Sequence, residues 1–237
     1  MNREQAIDTA QYFCDKSGRR TTLRYTAVKD GNVFGSDGRI GVCIKSEGED
    51  DCPEQYPVDS LVDMVFKRRL ETAWAKIKWV EIGEYKQDFE NEFRKERDHV
   101  YYENNRRYSE CRCPHCWVEV YWDNDNNELV PEKETADRVY PKDIVYPVWL
   151  CLDDKRILVN FGYLWTVRAA FGLREDFLYA WGTQDHKDSS GTKYLWFKTP
   201  DEEVQGILAS LRAESGDENY AKAKPIWLEP ATEAGKE

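Results

Sequence analysis

Two Asp-Gly pairs, Asp30-Gly31 and Asp37-Gly38, constrain the fold of this chain more than any other feature. They separate three short runs of apolar and β-branched residues, at 23–28, 32–35 and 40–44. Because glycine adopts a positive φ angle at little cost, Asp-Gly between two strand-like runs is a strong signal for a tight hairpin. The sequence therefore predicts a meander of antiparallel strands here.

A helix is predicted on each side of this meander. Within residues 3–16, apolar side chains recur at spacings of three and four until Ser17-Gly18, which is typical of one buried helical face. After an acidic loop, a helical period begins near Val58 and continues without proline to about residue 105, with Gly83 as a dividing point. We expect a long helical region there.

Regular patterning returns in the second half of the chain. Residues 148–152 and 156–159 are strand-like, and Asn160 is placed to cap a helix that ends at Gly172. Strands are predicted at 177–181 and 193–198, and the run 204–211 fits a strand or a helix. A helix followed by strand-like runs thus occurs twice.

Three short motifs in these two regions match one protein family. They are Ser36-Asp37-Gly38-Arg39 with Tyr56, Pro57 and Leu61; Asn160 with Tyr163 and Leu164; and Tyr194-Leu195-Trp196-Phe197. In this order they resemble a module of the sliding clamps, the bacterial DNA polymerase III beta-subunit family. The resemblance covers residues 3–66 and 146–212. It implies an α+β fold, with an antiparallel-sheet clamp-like module, two core helices and an inserted helical and zinc-knuckle segment.

The resemblance also implies a domain organisation. Residues 1–66 and 141–212 would be the two halves of the clamp-like module, 67–140 a helical insertion, and 213–237 a flexible charged tail. Family members encircle DNA as self-associated rings and bind polymerase peptides. The residues expected near DNA are the two dense basic groups: Arg19, Arg20, Arg24, Lys67, Arg68 and Arg69.

The insertion contains the sequence CxCPHC, formed by Cys111, Cys113, His115 and Cys116. CPxC is a tight turn in which two thiolates hold Zn²⁺, so we expect a structural zinc site. A closed site needs four ligands, and the fourth is left open between His115, His99, Cys151 and a second subunit. A redox-active thiol cluster and the absence of any special role are the alternatives.

Composition limits the function. The chain has 237 residues, with 34 basic and 45 acidic side chains and a net charge of −11, which argues against broad wrapping of nucleic acid but not against a local basic face. No apolar run suits a membrane span or a signal peptide, so we expect a cytoplasmic protein. Neither phosphate-binding loops nor Ser/His/Asp, Cys/His or HExxH patterns occur, so we expect no enzyme.

Two functions follow from this pattern. The first is a non-enzymatic sliding-clamp-like protein of a phage or mobile element, which contacts DNA weakly and without sequence preference or binds a DNA-handling protein. The second is an acidic interaction module, such as an inhibitor of host defence or a DNA mimic, stabilised by the zinc knuckle. The distribution of charge distinguishes them, because a clamp needs both basic groups on one face with acidic residues opposite.

Overall fold

The computed structural model of the protein describes residues 1–15, 20–53, 55–79, 120–123, 128–131, 145–184, 192–211 and 223–231. Within these ranges the chain combines helices with a large, mostly antiparallel sheet, so the predicted α+β class is confirmed. The described α-helices are α1 (Arg3–Gln11), α2 (Val58–Phe66) and α3 (Phe161–Ala170), and Thr21–Leu23 forms one turn of 3-10 helix. None of them is long and apolar enough to cross a membrane.

Thirteen strands lie in the described ranges. In chain order they are β1 (Ala27–Lys29), β2 (Asn32–Ser36), β3 (Ile40–Lys45), β4 (Arg68–Leu70), β5 (Ala75–Ile77), β6 (Val120–Asp123), β7 (Glu128–Pro131), β8 (Pro147–Leu152), β9 (Lys155–Asn160), β10 (Leu178–Gln184), β11 (Lys193–Lys198), β12 (Val204–Ala209) and β13 (Lys224–Pro230). The meander predicted from the Asp-Gly pairs is confirmed as β1 to β3, which pair antiparallel.

One sheet of eleven strands contains all of these except β6 and β7, which pair with each other. Its order is β1-β2-β3-β12-β11-β10-β5-β13-β8-β9, with β4 beside β10. The pairing of β13 with β8 is parallel and the other pairings are antiparallel. A hydrogen bond shows that the sheet curves back on itself. The backbone N–H of Leu211, just after β12, donates at 2.9 Å to the carbonyl of Leu158 in β9, the last strand of the sheet order.

The same unit, a helix followed by a three-stranded meander, occurs twice. The first is α1 with β1 to β3, and the second is α3 with β10 to β12. The last strands of the two units pair antiparallel, with Val42 opposite Gly206 at the middle of the register. The strand order β1-β2-β3-β12-β11-β10 is therefore symmetric about the β3 and β12 pair.

Both faces of the sheet around this pair are covered. Successive strand residues point to opposite faces, so Val33 joins the core under α1 and α3, whereas Phe34 joins a second core under α2. Ala10 of α1 and Leu164 of α3 belong to the same core, so these two helices share one side of the sheet. We call the two faces the α1/α3 side and the α2 side.

The structure differs from the sequence-based prediction over 67–79. The helix that begins at Val58 ends at Phe66, and the chain continues as β4 and β5 instead of the predicted helical insertion. Ala75 and Ile77 are buried and Lys76 between them is exposed, which is the two-residue period of a strand. β5 lies between β10 and β13 and bonds to both, so tertiary pairing overrides a helix-like spacing of apolar residues.

Part of the segment that the sequence assigned to a tail also lies in the sheet. β13 pairs with β5 on one side and with β8 on the other. Its Ile226 and Leu228 are buried, while Trp227 between them is 63% exposed. This strand therefore connects the two halves of the large sheet.

Candidate nucleic-acid interface

Five of the six basic residues that the sequence selected lie in the described part of the chain: Arg20, Arg24, Lys67, Arg68 and Arg69. The sixth, Arg19, and the predicted zinc ligands Cys111, Cys113, His115 and Cys116 lie outside the described residues, as does His99. Among the residues that are described, no three or more His, Cys, Asp or Glu side chains are grouped to hold a metal ion.

The two basic groups flank the same core. Leu23, between Arg20 and Arg24, and Val65, just before the second group, both belong to the core under α2. Arg68 reaches Gln205, which lies opposite Cys43 of that core in the sheet register. The structure thus brings Arg68 to the α2 side of the sheet together with the segment around Leu23. Arg69 alternates with Arg68 and Leu70 along β4 and points to the other face, so the two groups do not form one continuous basic surface.

The Ser-Asp-Gly-Arg motif forms the β2–β3 turn and supports Arg20. Asp37 Oδ1 accepts from the N–H groups of Arg39 and Ile40 at 2.7 and 2.9 Å, which closes the turn. Gly38 has a φ angle of +84°, and a Cβ atom placed on it would lie 1.5 Å from Arg20 Nη1. The positive φ angle favours glycine at this position, and the absence of a side chain lets the Arg20 guanidinium lie against the turn, while Arg24 is exposed nearby in sequence.

Arg68 uses its guanidinium mainly inside the protein. Its Nη1 donates to Val65 O and to Gln205 Oε1, each at 3.4 Å, and its Cζ lies 5.0 Å from the centroid of the Trp74 ring. Burial lowers the pKa of this guanidinium. Because these contacts hold its charge against the sheet, Arg68 is less available to a ligand than its exposed neighbour Arg69.

Trp74 is contacted by a second cation that the sequence analysis missed. Lys198 Nζ lies 4.7 Å from the centroid of the Trp74 ring and 2.5 Å from Glu202 Oε1. The hydrogen bond from Lys198 holds the pKa of the Glu202 carboxyl below its ordinary value. The indole thus lies against two cationic groups, one from β4 and one from β11, on the α2 side.

Lys76 is a further exposed cation on the α2 side, since its neighbours Ala75 and Ile77 point to the opposite core. Leu178 lies opposite both Lys76 and Lys198 in the register, so the two lysines are two strand spacings apart, about 10 Å. The sequence does indicate Lys76, because it belongs to a basic segment. Residues 67–78 contain five basic side chains and one acidic side chain.

Acidic side chains accompany the basic ones and occur on both sides of the sheet. Lys67 Nζ lies 2.8 Å from Asp63 Oδ1 of α2, and Lys29 Nζ lies 2.7 Å from Asp59 Oδ1 of the same helix. On α1, across the sheet, Glu4 and Asp8 are exposed. The carboxylates are therefore not confined to the side opposite the basic groups.

A scan of the chain against protein-family models finds no matching family, and a search of curated proteins finds no significant match. The interpretation of this surface therefore depends on its own geometry and charge.

Burial raises the pKa of the Cys43 thiol to about 12, so that sulfur is protonated at neutral pH and is not a nucleophile there.

Proposed function

We propose that the protein is a non-enzymatic, sliding-clamp-like protein that associates with DNA and with DNA-handling partners. The observation that carries this proposal is the repeated unit, a helix followed by a three-stranded meander. The units join through β3 and β12, and α1 and α3 lie on one side of the joined sheet. Of the motifs that carried the family resemblance, the Ser-Asp-Gly-Arg turn joins β2 to β3 in the first unit, and the Asn160 cap begins α3 in the second unit.

The carboxylates on both sides of the sheet do not give the charge separation that favours a clamp, so any contact with DNA would be weak and non-specific. The exposed cation Lys76 points to the α2 side, and exposed Arg24 follows buried Leu23 of the core there, while the whole chain carries a net charge of −11. Neutralising a phosphate releases counterions, so each cation that contacts DNA adds about 0.9 to the slope of log affinity against log salt concentration. Binding should therefore be steeply dependent on salt and independent of sequence.

The variant Arg24→Ser/Lys76→Ser tests which residues contact DNA. It should weaken binding equally for unrelated duplex sequences and reduce the salt slope by about 1.8. The matched control is Arg156→Ser/Lys224→Ser, which removes the same charge from exposed positions on β9 and β13. Equal effects of the two variants would show that only net charge matters, and would contradict the assignment of this surface.

Retention on circular DNA tests the clamp itself. A ring that encloses DNA should stay on a closed circle and leave after the circle is cut, at a salt concentration where short duplexes do not bind. Release from circular and linear DNA at the same rate would exclude encirclement. The measurement needs no variant, so it separates the function from the residue assignment.

The second candidate function is an acidic interaction module that binds a DNA-binding protein. The observation that favours it is the presence of exposed carboxylates on both sides of the sheet, as on α1 and α2. In that case the protein should not retain any DNA, and it should displace DNA from a basic partner. In either function we propose that Cys111, Cys113, Cys116 and His115 hold a structural zinc ion.

A further inference from the structure

The end strand of the large sheet, β1, is covered by a short acidic loop of the same chain. Residues 47–53 form this covering loop, and Asp51 pairs with Val28 as an isolated antiparallel bridge. Val28 N donates to Asp51 O and Asp51 N donates to Val28 O, both at 2.8 Å. An uncovered edge strand presents such groups to other chains, so this bridge closes a pairing site.

The loop makes few other contacts with the edge. The Asp50 carboxylate accepts from the backbone N–H of Asp30 at 2.9 Å, and Cys52 packs half-buried against the core under α2. Glu47, Gly48, Glu49 and Asp50 are all exposed. Segments with few buried contacts open at low free energy, so this loop is easily displaced from β1 compared with a strand of the core.

We propose that the edge of β1 is a strand-addition site for an extended acidic segment of a partner protein, and that the covering loop occupies it as an internal competitor. Strand addition supplies affinity through backbone hydrogen bonds and specificity through side chains. The covering loop shows which groups the edge can bind. One residue, Asp51, pairs with Val28 through its backbone, and the carboxylate of the preceding residue, Asp50, accepts from Asp30 N. Lys29 on β1 is already paired with Asp59 of α2, its Nζ lying 2.7 Å from Asp59 Oδ1, so the edge would bind the segment through its backbone groups.

The loop should weaken partner binding by direct competition. A tethered segment competes at an effective concentration on the order of millimolar, so loosening it lowers the apparent Kd for a free segment. Loosening is achieved with Asp50→Gly/Asp51→Gly, which removes the carboxylate bond to Asp30 and adds backbone freedom. The matched control is Glu47→Gly/Glu49→Gly, which makes the same changes at two exposed residues of the loop that lie outside the bridge.

The probe is a labelled peptide with the sequence of residues 47–56 that carries Cys52→Ser, measured by fluorescence anisotropy on the full chain. We expect the Asp50→Gly/Asp51→Gly protein to bind it at least tenfold more tightly than the wild type and the control. A second peptide, with proline in place of Asp51, cannot donate to Val28 O and should lose this binding. Peptide binding should also slow hydrogen exchange at the amide of Val28.

Three outcomes would overturn the proposal. One is absence of peptide binding to a variant whose circular dichroism and melting temperature match the wild type. Another is equal tightening in the control variant, which would show that lost charge or added backbone freedom anywhere in the loop has the same effect, and that the contacts of residues 50 and 51 with the edge do not matter. The third is dimerisation of the loosened variant, which would identify a second copy as the occupant. If that variant does not fold, Asp50→Ala removes only the bond to Asp30 N and should give a smaller tightening in the same direction.

Discussion

At the residue scale, two glycines are required for different physical reasons. A Cβ atom placed on Gly35 of β2 would lie 2.2 Å from the carbonyl oxygen of Ala10, so this glycine sets how closely α1 approaches the sheet. Gly172, after α3, has a φ angle of +66° and no atom within 4 Å of such a Cβ. Glycine is thus required at position 35 because of the packing of α1 on β2, and at position 172 because of the left-handed backbone conformation.

We predict that Gly35→Ala lowers the free energy of unfolding by about 2–3 kcal/mol, because α1 must shift away from β2 to relieve the overlap. Gly172→Ala should cost about 1 kcal/mol, the cost of a left-handed conformation for alanine. Urea denaturation of both variants provides the comparison. Gly172→Asn serves as a control, since asparagine tolerates this conformation, and it should cost less than the alanine variant. Equal costs for Gly35→Ala and Gly172→Ala would contradict the packing argument.

At the element scale, Asn160 connects the start of α3 to the chain that enters β8. Its Oδ1 accepts from Gly162 N at 3.1 Å and from Tyr146 N at 2.9 Å, and the residue is 1% exposed. The first bond is the helix cap that the sequence predicted. The second bond, which the sequence did not indicate, positions the chain that enters β8.

Asn160→Ala should lower the free energy of unfolding by about 2–4 kcal/mol, because two backbone N–H groups lose their acceptor at a buried position. Asn160→Asp retains an acceptor and should recover part of this loss. Thermal and urea unfolding of both variants test the prediction. The comparison Asn2→Ala removes the exposed cap of α1, whose Oδ1 accepts from Gln5 N at 2.9 Å, and should cost about 1 kcal/mol. A smaller cost at Asn160 than at Asn2 would show that burial does not matter here.

At the scale of the whole molecule, local signals predicted the two repeated units but not what connects them. Asp-Gly turns and a capping asparagine act within a few residues, and the strands and helices they indicate are present. β4, β5 and β13 form because β10 and β8 offer them backbone partners, as in the pairing of Trp227 with Cys151. Among the candidate residues, the basic tract was visible in the sequence, but the burial of Arg68 against Trp74 depends on the fold.

The contrast between local sequence signals and long-range strand pairing can be tested on β13. The sequence indicated a tail there, whereas the structure has a strand that connects β5 and β8. Removing residues 223–237 should abolish the cooperative fold, since it deletes buried Ile226 and Leu228 and leaves one edge of β5 and one edge of β8 unpaired. Removing only residues 232–237 retains β13 and should leave the melting temperature within about 2 °C of the full chain. Ile226→Asp in the full chain should reproduce much of the larger effect, because it buries a carboxylate without a partner in the core. Circular dichroism melting and gel filtration distinguish these results, and a stable monomer lacking residues 223–237 would show that β13 is dispensable.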